Sequence, residues 1–259
     1  MTFYTGSNYT GTSYKLPVGK WDYATLAPNI GNDTISSLKA PPGLWVQLWS
    51  ESNCWYNHGE YYGDVASLGA MDNQTSCLEI KPGVSIYPNQ NFSGTYQTLP
   101  PGAYNHTQFP VVGNDNIESL VAAPGILVRV CSESGASYGN VGWGTCQELS
   151  GSVASLGSLN NSVSNIEVFA GVTVYRDADY GGVSQTFREG TYGAADLSIV
   201  GNDQISSLIV APGMKATLCS ENGGWGDCKE YTGWNSFVGK ASSGATMNDR
   251  TSYISVTPL

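Results

Sequence analysis

One phrase is written three times in this chain, and a long internal repeat constrains a fold more than any composition does. Gly31-Asn32-Asp33-Thr34-Ile35-Ser36-Ser37-Leu38 runs on to Pro42-Gly43, Gly113-Asn114-Asp115-Asn116-Ile117-Glu118-Ser119-Leu120 to Pro124-Gly125, and Gly201-Asn202-Asp203-Gln204-Ile205-Ser206-Ser207-Leu208 to Pro212-Gly213. A second signature opens each copy: two aromatics with four residues between them, then a glycine after one more residue, at Tyr4/Tyr9/Gly11, Tyr87/Phe92/Gly94 and Tyr175/Tyr180/Gly182. Aromatics on either side of a tight loop can stack across it, and the glycine permits the positive φ that folds the hairpin over.

Each copy divides again. After Pro-Gly comes an alternating apolar strand, then Ser-Glu at Ser50-Glu51, Ser132-Glu133 and Ser220-Glu221. A degenerate second box follows at Asp72-Asn73-Gln74-Thr75-Ser76, Asn160-Asn161-Ser162-Val163-Ser164 and Asn248-Asp249-Arg250-Thr251-Ser252. Period-2 apolar runs close each copy, as in Leu78/Ile80, Ile166/Val168 and Ile254/Val256. Two half-copies of roughly 40 residues, each long enough for four short strands, predict paired Greek keys in a β-sandwich. The chain is thus expected to be all-β, in three domains near 1–83, 84–171 and 172–259, with no helical apolar spacing long enough to trust.

Composition narrows the function. A net charge of −10, with Arg129 the single Lys or Arg between residues 84 and 171, argues against nucleic acid and suits cations. No apolar run reaches the roughly 20 residues that span a bilayer. Six cysteines pair naturally as Cys131–Cys146 and Cys219–Cys228 across equivalent hairpins, leaving Cys54 for Cys77; three disulfides imply an oxidising compartment, hence secretion. Zinc is disfavoured because no Cys-x-x-Cys occurs and the two histidines are isolated. His58 and His106 sit in non-equivalent loops, too far apart in the repeat to suggest a triad, and no phosphate loop or dinucleotide fingerprint appears, so the chain reads as a non-enzyme.

Together, the aromatic-x4-aromatic-x-Gly hairpin and the (Asn/Asp)-(Asn/Asp)-x-x-(Ser/Thr)-Ser box, alternating in three registers, resemble the microbial-type, calcium-binding βγ-crystallins over essentially the whole chain. The resemblance implies three tandem two-Greek-key domains that bind calcium, a cation that takes six to eight hard oxygens. It also implies ligands at the second and fifth box positions: Asp33 with Ser36, Asn73 with Ser76, Asn161 with Ser164, Asp203 with Ser206, and Asp249 with Ser252. By alignment, the facing hairpins contribute at Gly6, Glu51, Asn89, Glu133, Asp177 and Glu221. The chain departs from the family box where Glu118 replaces the hydroxyl and where the second boxes close on Cys77, Asn165 and Tyr253. The third repeat, with a carboxylate and a hydroxyl in both boxes, is expected to bind best and the middle repeat worst.

The resulting expectation is a monomeric, secreted calcium-binding stability protein. Core and inter-domain packing is expected to absorb most of Trp45, Trp49, Trp55, Trp143, Trp225 and Trp234. Solvent-facing tryptophans would instead favour a rival: a recognition protein that binds carbohydrate or another protein, such as a cell-wall binder, killer-toxin-like factor or protease inhibitor.

Overall fold

Alternation of apolar and polar residues becomes antiparallel sheet throughout the computed structural model, which describes residues 1–134 and 141–259. The described residues form two compact units, one of residues 1–100, 107–121 and 154–162, the other of residues 101–106, 122–153 and 163–259.

In the first unit, strand Thr2–Gly6 lies between Thr10–Lys15 and Ser37–Lys39. A second sheet runs in the order Gly19–Trp21, Cys77–Pro82, Leu44–Trp49, His58–Tyr62. The third strand of the first half thus joins the sheet of the second half. In return, the second half lends Val65, which bridges Leu38. This exchange is the Greek-key arrangement expected of paired half-copies. Between the sheets, Phe3 and Leu38 meet Val46, Leu48, Leu78 and Ile80, all fully buried. Each such aliphatic side chain contributes about 1.5–3 kcal/mol of burial.

One element was not legible in advance. Tyr23–Asn29 is a short α-helix capped by the Asp22 side chain, which accepts from the Thr25 N–H at 3.3 Å. With Pro28 inside it, the segment carries no helical period, and burial of Leu26 holds it in place.

The second unit is organised on one eleven-residue strand, Asn165–Tyr175. Its first half pairs with Gly102–Asn105 and Ile126–Ser134, its second half with Ser184–Arg188 and Ser207–Val210. The strand runs unbroken past Gly171, where a Cβ would run into the Phe187 carbonyl. A further sheet, in the order Gly190–Gly193, Tyr253–Pro258, Met214–Glu221, Trp225–Tyr231, closes a core of Val172, Val174, Leu208, Leu218, Ile254 and Val256.

All three expected disulfides are present, with Cα separations of 5.1 Å for Cys54–Cys77, 4.2 Å for Cys131–Cys146 and 4.1 Å for Cys219–Cys228. Among the described residues no helix is long and apolar enough to cross a membrane.

Candidate metal centres at the paired boxes

The second residue of every box adopts the left-handed conformation: φ is +53° at Asp33, +54° at Asn73, +51° at Asp115, +56° at Asn161, +55° at Asp203 and +54° at Asp249. Most side chains lose roughly 1–2 kcal/mol there, and Asn and Asp are the non-glycine residues that visit it routinely. Backbone geometry alone therefore selects these residue types. The side chains are then aimed by their neighbours. Asn32, Asn202 and Asn248 each donate from Nδ2 to Oδ2 of the following Asp, at 2.6, 2.7 and 2.7 Å, and Asn114 does the same to Asp115 at 2.7 Å. These charge-assisted bonds hold one carboxylate oxygen, and in Asp33, Asp203 and Asp249 the other, Oδ1, is turned to the site.

What Oδ1 meets is the opposite box. Ser76 donates to Asp33 at 3.0 Å, and Ser36 donates to Asn73 at 3.2 Å. In the third repeat Ser252 donates to Asp203 at 3.0 Å and Ser206 to Asp249 at 3.1 Å. The backbones cross in the same way, with Asp33 N–H on the Thr75 carbonyl, Asn73 on Ile35, Asp203 on Thr251 and Asp249 on Ile205. The ligand positions expected from the sequence are brought together, but between boxes instead of within one. The docked partner box presents its hydroxyl at hydrogen-bond distance from the second-position side chain.

The hairpins sit over these loops. Carbonyls of Gly6, Asn89 and Asp177 each accept from a fully buried hydroxyl, Ser37, Ser119 and Ser207, at 2.6 Å. The same hydroxyl oxygens accept the N–H of Tyr9, Phe92 and Tyr180 at 3.0, 3.1 and 3.0 Å. Above each latch an edge-to-face ring pair closes the loop: Tyr4–Tyr9 at 5.9 Å, Tyr87–Phe92 at 6.0 Å and Tyr175–Tyr180 at 5.8 Å. Burial, then the neighbouring Tyr96 phenol, pushes the Tyr87 hydroxyl up to about 12. In the second halves, Ser76, Ser164 and Ser252 donate their N–H to the carbonyls of Trp49, Cys131 and Cys219. Glu51, Glu133 and Glu221 lie two residues beyond those carbonyls.

The middle repeat differs. The Glu118 carboxylate accepts the Gln90 N–H at 3.0 Å on one oxygen and Asn161 Nδ2 at 2.5 Å on the other. Asp115 belongs to the first compact unit and Ser164 to the second.

Three further oxygens lie one residue before the expected ligands and were not singled out from the sequence. Asn32 Oδ1, Asp72 Oδ1 and Asn248 Oδ1, all at first box positions, are buried without a hydrogen-bond partner among the described residues. A buried oxygen left unmatched costs about 1–3 kcal/mol. The donor set is therefore carboxylate, amide, hydroxyl and backbone oxygen, which fits a hard cation. Among the described residues no group of three or more His, Cys, Asp or Glu is placed to hold a metal, so neutral oxygens and water would have to complete any shell.

The tryptophans correct an expectation. Trp45 is buried, at 7% exposure, but Trp55, Trp143, Trp225 and Trp234 are 69%, 60%, 75% and 50% exposed. Trp55, Trp143 and Trp225 lie on the second-half hairpins. His106 Nδ1 lies 2.8 Å from the Ser134 hydroxyl in an exposed position.

No protein-family model matches the chain. Development-specific protein S of Myxococcus xanthus is 27% identical over 175 residues, which is 65% of this chain and 98% of that protein. A solution structure of protein S complexed with calcium is 25% identical, covering 68% of this chain and 99% of its own, with a TM-score of 0.33. A βγ-crystallin domain from Flavobacterium johnsoniae is 32% identical, covering 34% of this chain and 93% of that domain, with a TM-score of 0.30. Identity across nearly the whole of that domain, together with the hairpins and boxes repeated in three registers, shows that the chain belongs to the βγ-crystallin family.

Proposed function

We propose that this chain is a secreted, non-enzymatic calcium-binding protein of three tandem domains, 1–83, 84–171 and 172–259, in which calcium joins the two halves of a domain. The observation that carries the reading is the crosswise meeting of boxes, Asp33 with Ser76 and Asp203 with Ser252, beside unmatched buried oxygens. The calcium in the solved protein S complex supports the choice of ion. Asp33, Ser36, Asn73 and Ser76 would hold it in the first domain, and Asp203, Ser206, Asp249 and Ser252 in the third. Carbonyls at Gly6 and Asp177, and the hairpins carrying Glu51 and Glu221, would complete those shells. Asn89, Glu133, Asn161 and Ser164 are the corresponding positions of the middle domain. With so few formal charges the affinity is expected on the order of 10⁻⁴–10⁻³ M. Three disulfides support an oxidising compartment. Calorimetric titration of the chelated chain is the test: saturable binding with a rise in melting temperature is expected, and neither heat nor shift at millimolar calcium overturns the reading.

Exposure of Trp55, Trp143 and Trp225 at related hairpins favours a second role, recognition of carbohydrate by ring stacking. Retention on insoluble polysaccharide that is lost on replacing the three by Ala would establish it; equal retention of the triple variant would dismiss it.

A further inference from the structure

In the first and third repeats, the box residues beneath the first hairpin present acceptors to one another's space. Asn73 turns its Oδ1, and Asp249 its Oδ1, toward the hydroxyl of Ser36 or Ser206. A hydroxyl can turn its proton away and ligate, so both partners are able to serve a cation. In the middle repeat the same two positions hold Glu118 and Asn161, and the polarity is reversed. Facing a carboxylate, the Asn161 amide presents its N–H2, not its oxygen, at 2.5 Å. The second carboxylate oxygen is taken by the Gln90 N–H of the hairpin at 3.0 Å. The hairpin itself is latched as in the other repeats, through Ser119 on the Asn89 carbonyl and the Phe92 N–H. Nothing about the loop geometry has been lost: Asn161 keeps its φ of +56° and its N–H on the Ile117 carbonyl at 3.1 Å.

Resting on the calcium reading above, we infer that Glu118 makes this position a permanent, calcium-independent clasp. Its carboxylate occupies the place of the ion, and two donors have been gathered around that anion where the other repeats gather acceptors around a cation. A carboxylate with charge-assisted hydrogen bonds on both oxygens has to give them up before it can ligate, and the amide across from it has to flip. The clasp joins three separate pieces of the middle repeat: hairpin, first box and second box. Those are the pieces that an ion would join in the other repeats. Calcium therefore tunes the first and third repeats while leaving this half of the middle one already tied.

The internal repeats supply the experiment. In the full chain, freed of metal by chelation, E118S should rebuild an Asn-Asp-x-x-Ser-Ser box and raise the number of calcium ions bound at saturation by one, measured by equilibrium dialysis. S36E places a carboxylate opposite Asn73 and should lower the number by one. Circular dichroism establishes that each variant is folded, and if E118S is not, S36E decides alone. In the unaltered chain the Gln90 amide should exchange equally slowly with and without calcium. A folded E118S that binds no additional ion, an S36E that loses none, or a Gln90 amide protected by calcium alone overturns the inference while leaving the calcium reading intact. Absence of binding by every variant overturns that reading and the clasp with it.

Discussion

The two hairpins of each repeat do the same job by different chemistry. Over the first box the loop is closed without covalent bonds, by an aromatic pair and one buried serine, as in Tyr175–Tyr180 with Ser207. Over the second box of the middle and third repeats, a half-cystine stands where the first aromatic would be: the carbonyls of Cys131 and Cys219 take the N–H of Ser164 and Ser252, just as those of Tyr87 and Tyr175 take the N–H of Glu118 and Ser206. The first repeat keeps an aromatic there, Trp49, and puts its half-cystine, Cys77, where the latching serine would be. A half-cystine thus occupies either of two places in one loop design. The requirement common to all six hairpins is that the loop be held down on the box, and ring packing, a hydroxyl or a disulfide each meets it.

The largest test of this comparison is to remove the covalent closures. Each disulfide closes a short loop, of sequence separation 9, 15 or 23, and contributes about 3 kcal/mol in the chain-entropy model. Replacing Cys219 and Cys228 by Ala should lower the denaturant midpoint accordingly; an unchanged midpoint would mean that the second hairpins are held by packing after all.

Next in size is the ion. At a hundredfold excess over Kd, bound calcium stabilises by about 2.7 kcal/mol per site. Replacing Asp203 and Asp249 together by Ala should abolish most of the calcium-induced rise in melting temperature of the full chain, and replacing Asp115 and Asn161 should abolish less. The reverse ranking would refute the ordering of repeats.

The serine latch comes third. Ser207→Ala strands the Asp177 carbonyl and the Tyr180 N–H and should cost about 1–3 kcal/mol, read by chemical denaturation. Tyr253, at the equivalent place in the second half, is only partly buried, and Tyr253→Ala should cost less; equal losses would erase the distinction between halves.

The smallest effect is expected from alkali, to which the two closures respond differently. The Tyr87 hydroxyl, raised by burial from 10.0 to about 12, must stay protonated in the fold, so its share of stability is complete below pH 10 and lost as pH rises through 12. Half-cystines do not titrate. Amide exchange followed from pH 9 to 12 should show Phe92 losing protection before Ser164; the opposite order would break the argument.

Much of this was legible in the sequence, for reasons that can be stated. Period-2 alternation at Leu78/Ile80 and Ile254/Val256 identified buried strand faces, because a strand side chain has only two directions to point. Cysteine placement across equivalent hairpins identified the pairing of Cys131 with Cys146. What escaped depended on distance along the chain. Ser76 meets Asp33 across 43 residues, and no local spacing reports which box docks on which. Glu118 reads as a departure from the box, but the two donors that make it a clasp come from a hairpin 28 residues before it and a box 43 residues after. The exposed tryptophans escaped for another reason: an apolar residue facing solvent looks like core in composition, and burial is a property of the assembled sheets.

The strand Asn165–Tyr175 has a mechanical consequence. It is hydrogen-bonded to neighbours on both sides along both of its halves, so a pull along its axis loads those ladders in shear, where many bonds must fail together, instead of peeling them one at a time. At Gly171, midway along, the absence of a side chain lets the neighbouring chain press against the backbone, leaving no slack loop to pay out first. The stretch of polypeptide from the second repeat into the third is therefore a tension-bearing member and not a tether, and under load it should yield at high force and over a short extension.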